Sequence, residues 1–266
     1  MRGEIIKELL RPRSDSETVR VGFLMLKDFS LLAFSAAVEP LRAANRLSEK
    51  ALFSWVTAHI SNKSVESSTG LEMSVSGDIN DLFNCRLVLI RSGTNVEKYT
   101  DKTIISIVRK LERSGITVGA ICSGTFVLAK AGMLNEKRCT IHWENIDGLA
   151  EEFQDLNITT DLFEIDGNRV TCSGGTASLD MMLNLISHSH GTQLAAEISD
   201  QFIHDRIREP TDRQRMELRS RIGVSHPKLL AVVKTMEDNL EEPLPQTAIA
   251  RETGLSTRQL ERLFRK

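Results

Sequence analysis

Cys122 stands in GAICSGTFVLAKAG, where an apolar run hands over to a helical pattern through small residues. Gly119 and Gly124 suit a sharp strand–turn–helix elbow, which presents a side chain at the carboxyl end of a sheet. The partial positive charge at the start of the following helix predicts a lowered thiol pKa. His142, in TIHW, is a candidate imidazole partner for a nucleophilic cysteine. A lone cysteine and histidine would read as a small buried thiol and a polar loop residue. The elbow argues for a pocket, without itself making that pocket catalytic.

A second group of residues suits nucleic acid. The stretch QTAIARETGLSTRQLERLFRK reads as helix, turn, helix. Ala248, Ile249 and Ala250 permit close approach, Gly254 makes the turn and Leu255 packs inward. Ser256 is the expected N-cap of a helix over Thr257–Arg265, with Leu260, Leu263 and Phe264 as its buried face. The candidate DNA contacts are Ser256, Thr257, Arg258, Glu261, Arg262 and Arg265. Arginines on the outer face of such a helix take guanine edges or phosphates. A surface helix that is basic by chance is the plainer alternative. Charge is distributed accordingly: residues 1–205 carry 21 Lys+Arg against 27 Asp+Glu, and residues 206–266 carry 13 against 9. An acidic body with a basic end points to nucleic-acid contact, while the overall charge of −2 argues against a general nucleic-acid coat protein.

Positioning these groups falls to alternating strands and helices. Apolar runs at Val19–Leu26, Phe53–Ile60, Leu87–Ile90, Thr117–Ile121 and from Val170 (VTC) predict buried strands. Helical patterns fall at Leu31–Arg46, Lys102–Ser114, Phe126–Ala131, Thr176–His190, Leu194–Ile207 and His226–Leu240. This alternation predicts an α/β fold, a parallel sheet flanked by helices, followed by a small all-α domain. The expected division is a loose segment 1–18, a domain over 19–207, a charged linker over 208–225, and a helical domain over 226–266. With 266 residues, 41% apolar and 26% charged, the chain is not wholly disordered. Its four cysteines form no CxxC pair, so neither a metal site nor a disulfide scaffold is expected, and no cofactor is implied. No apolar run reaches membrane-spanning length and the first residues are charged, which predicts a cytoplasmic chain without membrane partners.

GAICSGTFVLAKAGMLNEKRCTIHW resembles the elbow of the PfpI-type, class I glutamine amidotransferase-like superfamily. VTCSGGTASLDMMLNLISHSHG, DRQR and FSLLAFSAAVEPLRAAN resemble its transcription-regulator branch, the GlxA-type AraC regulators, and STRQLERLFR resembles the signature helix of an AraC/XylS DNA-binding domain. The resemblance implies a flavodoxin-like sensor domain joined to a helix–turn–helix reader. AraC-type domains carry two such units, so residues 226–266 are expected to be the first, incomplete part. Promoter DNA, a homodimer and, for an activator, RNA polymerase are the implied partners. The chain is nearest to regulators responsive to carnitine, glycine betaine or arginine, so the implied effector is a quaternary amine or an amino acid. Two departures from hydrolytic relatives imply a domain without catalytic residues. Ala33 occupies the position of their glutamate, and Ser92-Gly93 replaces a Gly-Gly oxyanion loop.

A pocket at the carboxyl end of a parallel sheet is the default ligand site of such an architecture. Phe29, Ser30, Gly93, Cys122, Ser123, His142, Trp143 and Glu144 are the candidate ligand residues. Trp143 would face a cation, with Glu144 or Glu39 as countercharge. Its competing role is a packed core aromatic, and for the Glu39-Pro40 segment it is ordinary helix packing. The alternative function is a cysteine–histidine hydrolase or amidase of the same superfamily.

Overall fold

Strands buried on both faces are written as continuous apolar runs, and such runs pair in parallel when helices connect them. VRVGFLM and LVLIR are of this kind. The computed structural model describes residues 9–12, 14, 17–60, 63–215, 222–223 and 226–264. The chain divides into two units, Met1–Gln214 and Arg215–Lys266.

In chain order the strands of the first unit are β1 (Val19–Met25), β2 (Phe53–Ala58), β3 (Ser64–Glu66), β4 (Glu72–Ser74), β5 (Leu87–Arg91), β6 (Thr117–Ile121), β7 (Arg138–Thr140), β8 (Asn157–Thr159), β9 (Phe163–Asp166) and β10 (Arg169–Cys172). The central sheet runs β2-β1-β5-β6-β10-β9, parallel except for β9. Its helices are α1 (Leu31–Ser48), α2 (Val96–Tyr99), α3 (Lys102–Arg113), α4 (Gly124–Lys130), α5 (Ile146–Glu152), α6 (Ala177–His190) and α7 (Thr192–Gln201). Alternation along β5 sends Leu87 and Leu89 into one core with residues of α1 and α6, and Val88 and Ile90 into another with residues of α3 and α4. Helices therefore cover both faces, as the α/β reading requires.

Several boundaries differ from expectation. The helix expected to reach Ile207 stops at Gln201, because Ile203 takes a left-handed φ of 56° and the Ser199 hydroxyl donates to the His204 carbonyl. The helix expected over His226–Leu240 spans Pro227–Glu237, starting on a proline whose missing N–H needs no partner there. Strand β9 was not foreseen; it returns antiparallel to β10 through a turn at Gly167, φ 62°. Residues 208–214 of the expected charged linker belong to the first unit. Pro210 accepts from the Leu162 amide, and Gln214 Nε2 donates to Thr140 Oγ1 and to the Ile141 and Asp161 carbonyls.

The second unit holds α8 (Pro227–Glu237), α9 (Gln246–Glu252) and α10 (Thr257–Phe264). Its core is small: Val232, Ile249, Ala250 and Leu260, with Leu244 and Leu255 against them.

Candidate functional site: a sheet-edge elbow and a basic helix

Because five of the six central strands are parallel, the carboxyl ends of β1, β5, β6 and β10 share one edge. Cys122 follows β6 with φ 61°, a left-handed geometry that few non-glycine residues adopt, and its amide donates to the Cys172 carbonyl at 2.9 Å. The elbow is close-packed. A Cβ on Gly174 would lie 2.5 Å from the Cys122 sulfur, and one on Gly93 would lie 1.7 Å from the Asp28 carbonyl oxygen. Only glycine lets these loops meet.

The thiol is not activated. Burial raises the Cys122 pKa, and the opposing pull of the Arg91 guanidinium and of backbone N–H groups at Ser123 and Gly175 does not reverse this. The expected lowering by the helix start is therefore outweighed by desolvation. His142 caps the short turn that follows it. Its Nδ1 accepts from the Glu144 amide at 3.4 Å and its ring is tilted against Trp143 at 5.6 Å. Ala33 is fully buried in the first turn of α1, its amide bonded to Ser30 Oγ. The nearby Asp28 carboxylate accepts from the Tyr99 hydroxyl at 2.9 Å.

The remaining candidates take distinct places. Ser30 caps α1, and Ser123 donates to the Gly93 carbonyl at 2.5 Å, tying the β5 loop to the elbow. Phe29 is fully buried, edge-on to Phe34, and so belongs to the core rather than to a rim. Trp143 is 39% exposed, which removes it from the core. Glu144 is also exposed and close enough to raise the Cys122 thiol electrostatically. The segment is carried to this edge by Thr140, whose carbonyl accepts from Thr125 of α4 and whose amide donates to Thr171 of β10. Glu39 is paired with Arg42 on α1.

Sequence reasoning missed Arg91. It ends β5, is fully buried, and donates through Nη2 to the Ser30 carbonyl at 3.0 Å. Desolvation lowers its pKa to about 10, so it remains a cation at neutral pH. The one available signal was an arginine closing the apolar run LVLIR. Among the described residues no group of histidine, cysteine or carboxylate side chains could hold a metal, and no helix is long and apolar enough to cross a membrane.

In the second unit the turn between α9 and α10 is built from Gly254 at φ 63° and from the Leu255 amide donating to the Ala250 carbonyl. Ser256 and Gln259 cap α10 reciprocally: Ser256 Oγ accepts from the Gln259 amide and Gln259 Oε1 accepts from the Ser256 amide. Ser256, Thr257, Arg258, Glu261 and Arg262 are exposed; Arg265 lies outside the described residues. Leu260 is buried as expected. Leu263 is only partly covered and Phe264 is 53% exposed, because α10 extends one turn past the four-residue core.

Residues 19–188 match the DJ-1/PfpI family. The chain is 39% identical over 255 residues to the HTH-type transcriptional regulator GbdR of Pseudomonas aeruginosa, covering 96% of this chain and 70% of that one. It is 41% identical over 255 residues to the HTH-type transcriptional regulator GlxA of Rhizobium meliloti, covering 95% and 79%. The crystal structure of an AraC family transcriptional regulator from Pseudomonas putida shares the fold, with a TM-score of 0.63 at 24% identity over 69% of this chain and 99% of that one. The flavodoxin-like sheet with its elbow cysteine, followed by a capped basic helix, therefore places the chain in the DJ-1/PfpI family and, within it, among the HTH-type transcriptional regulators that GbdR and GlxA represent.

Proposed function

We propose that the chain is a ligand-responsive, sequence-specific DNA-binding regulator. Its DJ-1/PfpI domain, residues 19–207, senses a small quaternary amine or amino acid without turning it over, and residues 226–266 carry the DNA reader. The observation that carries this reading is the reciprocally capped α10, which leaves Arg258 and Arg262 exposed while Leu260 anchors the opposite face. Arginines so placed reach base edges and phosphates in a major groove. The ligand mouth is assigned to the edge that holds Ser30, Gly93, Cys122 and Ser123, with the exposed Trp143 as a face for a cation and Glu144 as its countercharge. A homodimer, binding paired half-sites in the cytoplasm, fits the symmetry such operators require. RNA polymerase is the further partner if the protein activates.

A hydrolase reading has one observation in its favour, the left-handed Cys122 elbow. Against it stand the raised thiol and Ala33 in place of a carboxylate. The test is fluorescence anisotropy of the protein on labelled duplexes from candidate promoters, with and without quaternary amines and amino acids. Saturable binding to one duplex that shifts with one compound supports the reading. Salt-sensitive binding that is equal on all duplexes and indifferent to every compound overturns it.

A further inference from the structure

The guanidinium of Arg91 is a charge without a counter-charge. Its side chain is fully buried at the end of β5, on the same side of the sheet as α1 and α6. One nitrogen, Nη2, donates to the Ser30 carbonyl; Nε and Nη1 have no hydrogen-bond partner, and neither has the hydroxyl of the adjacent, equally buried Ser92. No ion pair among the described residues includes Arg91. Its electrostatic neighbours are the thiols of Cys122 and Cys172, and burial keeps both protonated, Cys172 up to about 12. The start of α1, at Ser30, adds partial positive charge beside it rather than cancelling it.

Buried cations are ordinarily paired and buried donors ordinarily bonded. Here three donor groups go unused together, beneath the half-buried Ser30, Gly93 and Cys122. We infer that Arg91, with Ser92 beside it, is the recognition group for the carboxylate of the effector. The compound sensed is then an organic carboxylate, and an amine that lacks one is not a ligand. This inference rests on the reading of the same edge as the effector site, and adds to it the anionic half of the ligand. A guanidinium is suited to this because it stays charged, is weakly hydrated and offers a rigid set of N–H donors to carboxylate oxygens.

The test uses the full chain, thermal shift and calorimetry, with two pairs of probes that differ by a carboxylate: glycine betaine against tetramethylammonium, and L-arginine against agmatine. Wild type is expected to bind the carboxylate member of at least one pair tenfold or more tightly than its partner. Arg91→Met is expected to lose that preference, and Arg91→Lys to retain part of it. Without ligand, Arg91→Met is expected to melt at or above the wild-type temperature, since replacing an unpaired buried charge by an apolar side chain of similar size is neutral or stabilising. Equal binding of both members of a pair by wild type, or unaltered preference in Arg91→Met, overturns the inference and leaves the sensor reading standing. If no probe shifts the wild type, no carboxylate is preferred and the inference is overturned. A clear fall in the ligand-free melting of Arg91→Met makes Arg91 a structural group and likewise overturns it.

Discussion

Leu260→Ala separates the reader from the sensor by the size of their cores. Leu260 is the buried residue of α10 and packs with Val232, Ile249 and Ala250, a cluster that among the described residues only Leu244 and Leu255 extend. Truncating a buried leucine costs about 2–5 kcal/mol. A core of a unit this small supplies about 3–5 kcal/mol in all. The substitution therefore consumes most or all of the stability of the second unit. The first unit has two cores, one on each face of its sheet, and does not contain the mutated residue. Both tryptophans, Trp55 and Trp143, lie in it, so indole fluorescence reports its unfolding alone. The expected outcome in the intact chain is loss of specific DNA binding by anisotropy and loss of far-ultraviolet helical signal, with the urea midpoint from fluorescence unchanged. Wild-type DNA affinity in Leu260→Ala would refute the claim that this four-residue core holds the reader together.

Asp180→Ala should destabilise the first unit by about 3–5 kcal/mol. The buried carboxylate accepts from His204 Nε2 and from the Arg208 amide, Nε and Nη2, anchoring the segment beyond α7, and a urea midpoint read by fluorescence checks it. Burial holds His190 below its ordinary 6.5, with the ring edge-on to Phe53 at 5.0 Å and Nε2 unpartnered. The unfolded chain therefore takes up that proton first. Stability is unaffected above about pH 6.5 and falls as pH drops from there towards the depressed folded value; His190→Gln should flatten this slope in urea titrations at stepped pH. Cys122→Ser should leave no hydrolytic deficit. Amide or ester turnover by wild type that vanishes in the variant would count against a non-catalytic sensor.

How far the sequence carried these conclusions depends on which physical signal each feature leaves. Strands β1, β5 and β6 are legible because burial on both faces demands unbroken apolar runs. The Cys122 elbow is legible because close packing there demands small residues in order. The turn before α10 is legible because Gly254, Leu255 and Ser256 each do a local job. Strand β9 was missed although Asp166-Gly167 is a hairpin signal. The end of α7 was misplaced because the left-handed turn falls on Ile203, a residue with no preference for it. Arg91 escaped notice for a deeper reason. Its burial is made by the β1–α1 loop and the elbow closing over it, contacts between segments far apart in sequence. The thiol was misjudged likewise, since local helix charge can be read from sequence and desolvation cannot.

The central claim is that α10 reads DNA, and Arg262→Ala tests it with least ambiguity. Arg262 is exposed, four residues from Arg258, and outside the Val232–Leu260 core, so its removal should leave the unit folded. If it takes a base edge, anisotropy titration on the preferred duplex should show a loss of about 1–3 kcal/mol, roughly 5- to 150-fold in affinity, with relaxed preference at one base pair. Equal affinity of wild type and Arg262→Ala for that duplex, at the same salt concentration, would contradict the account.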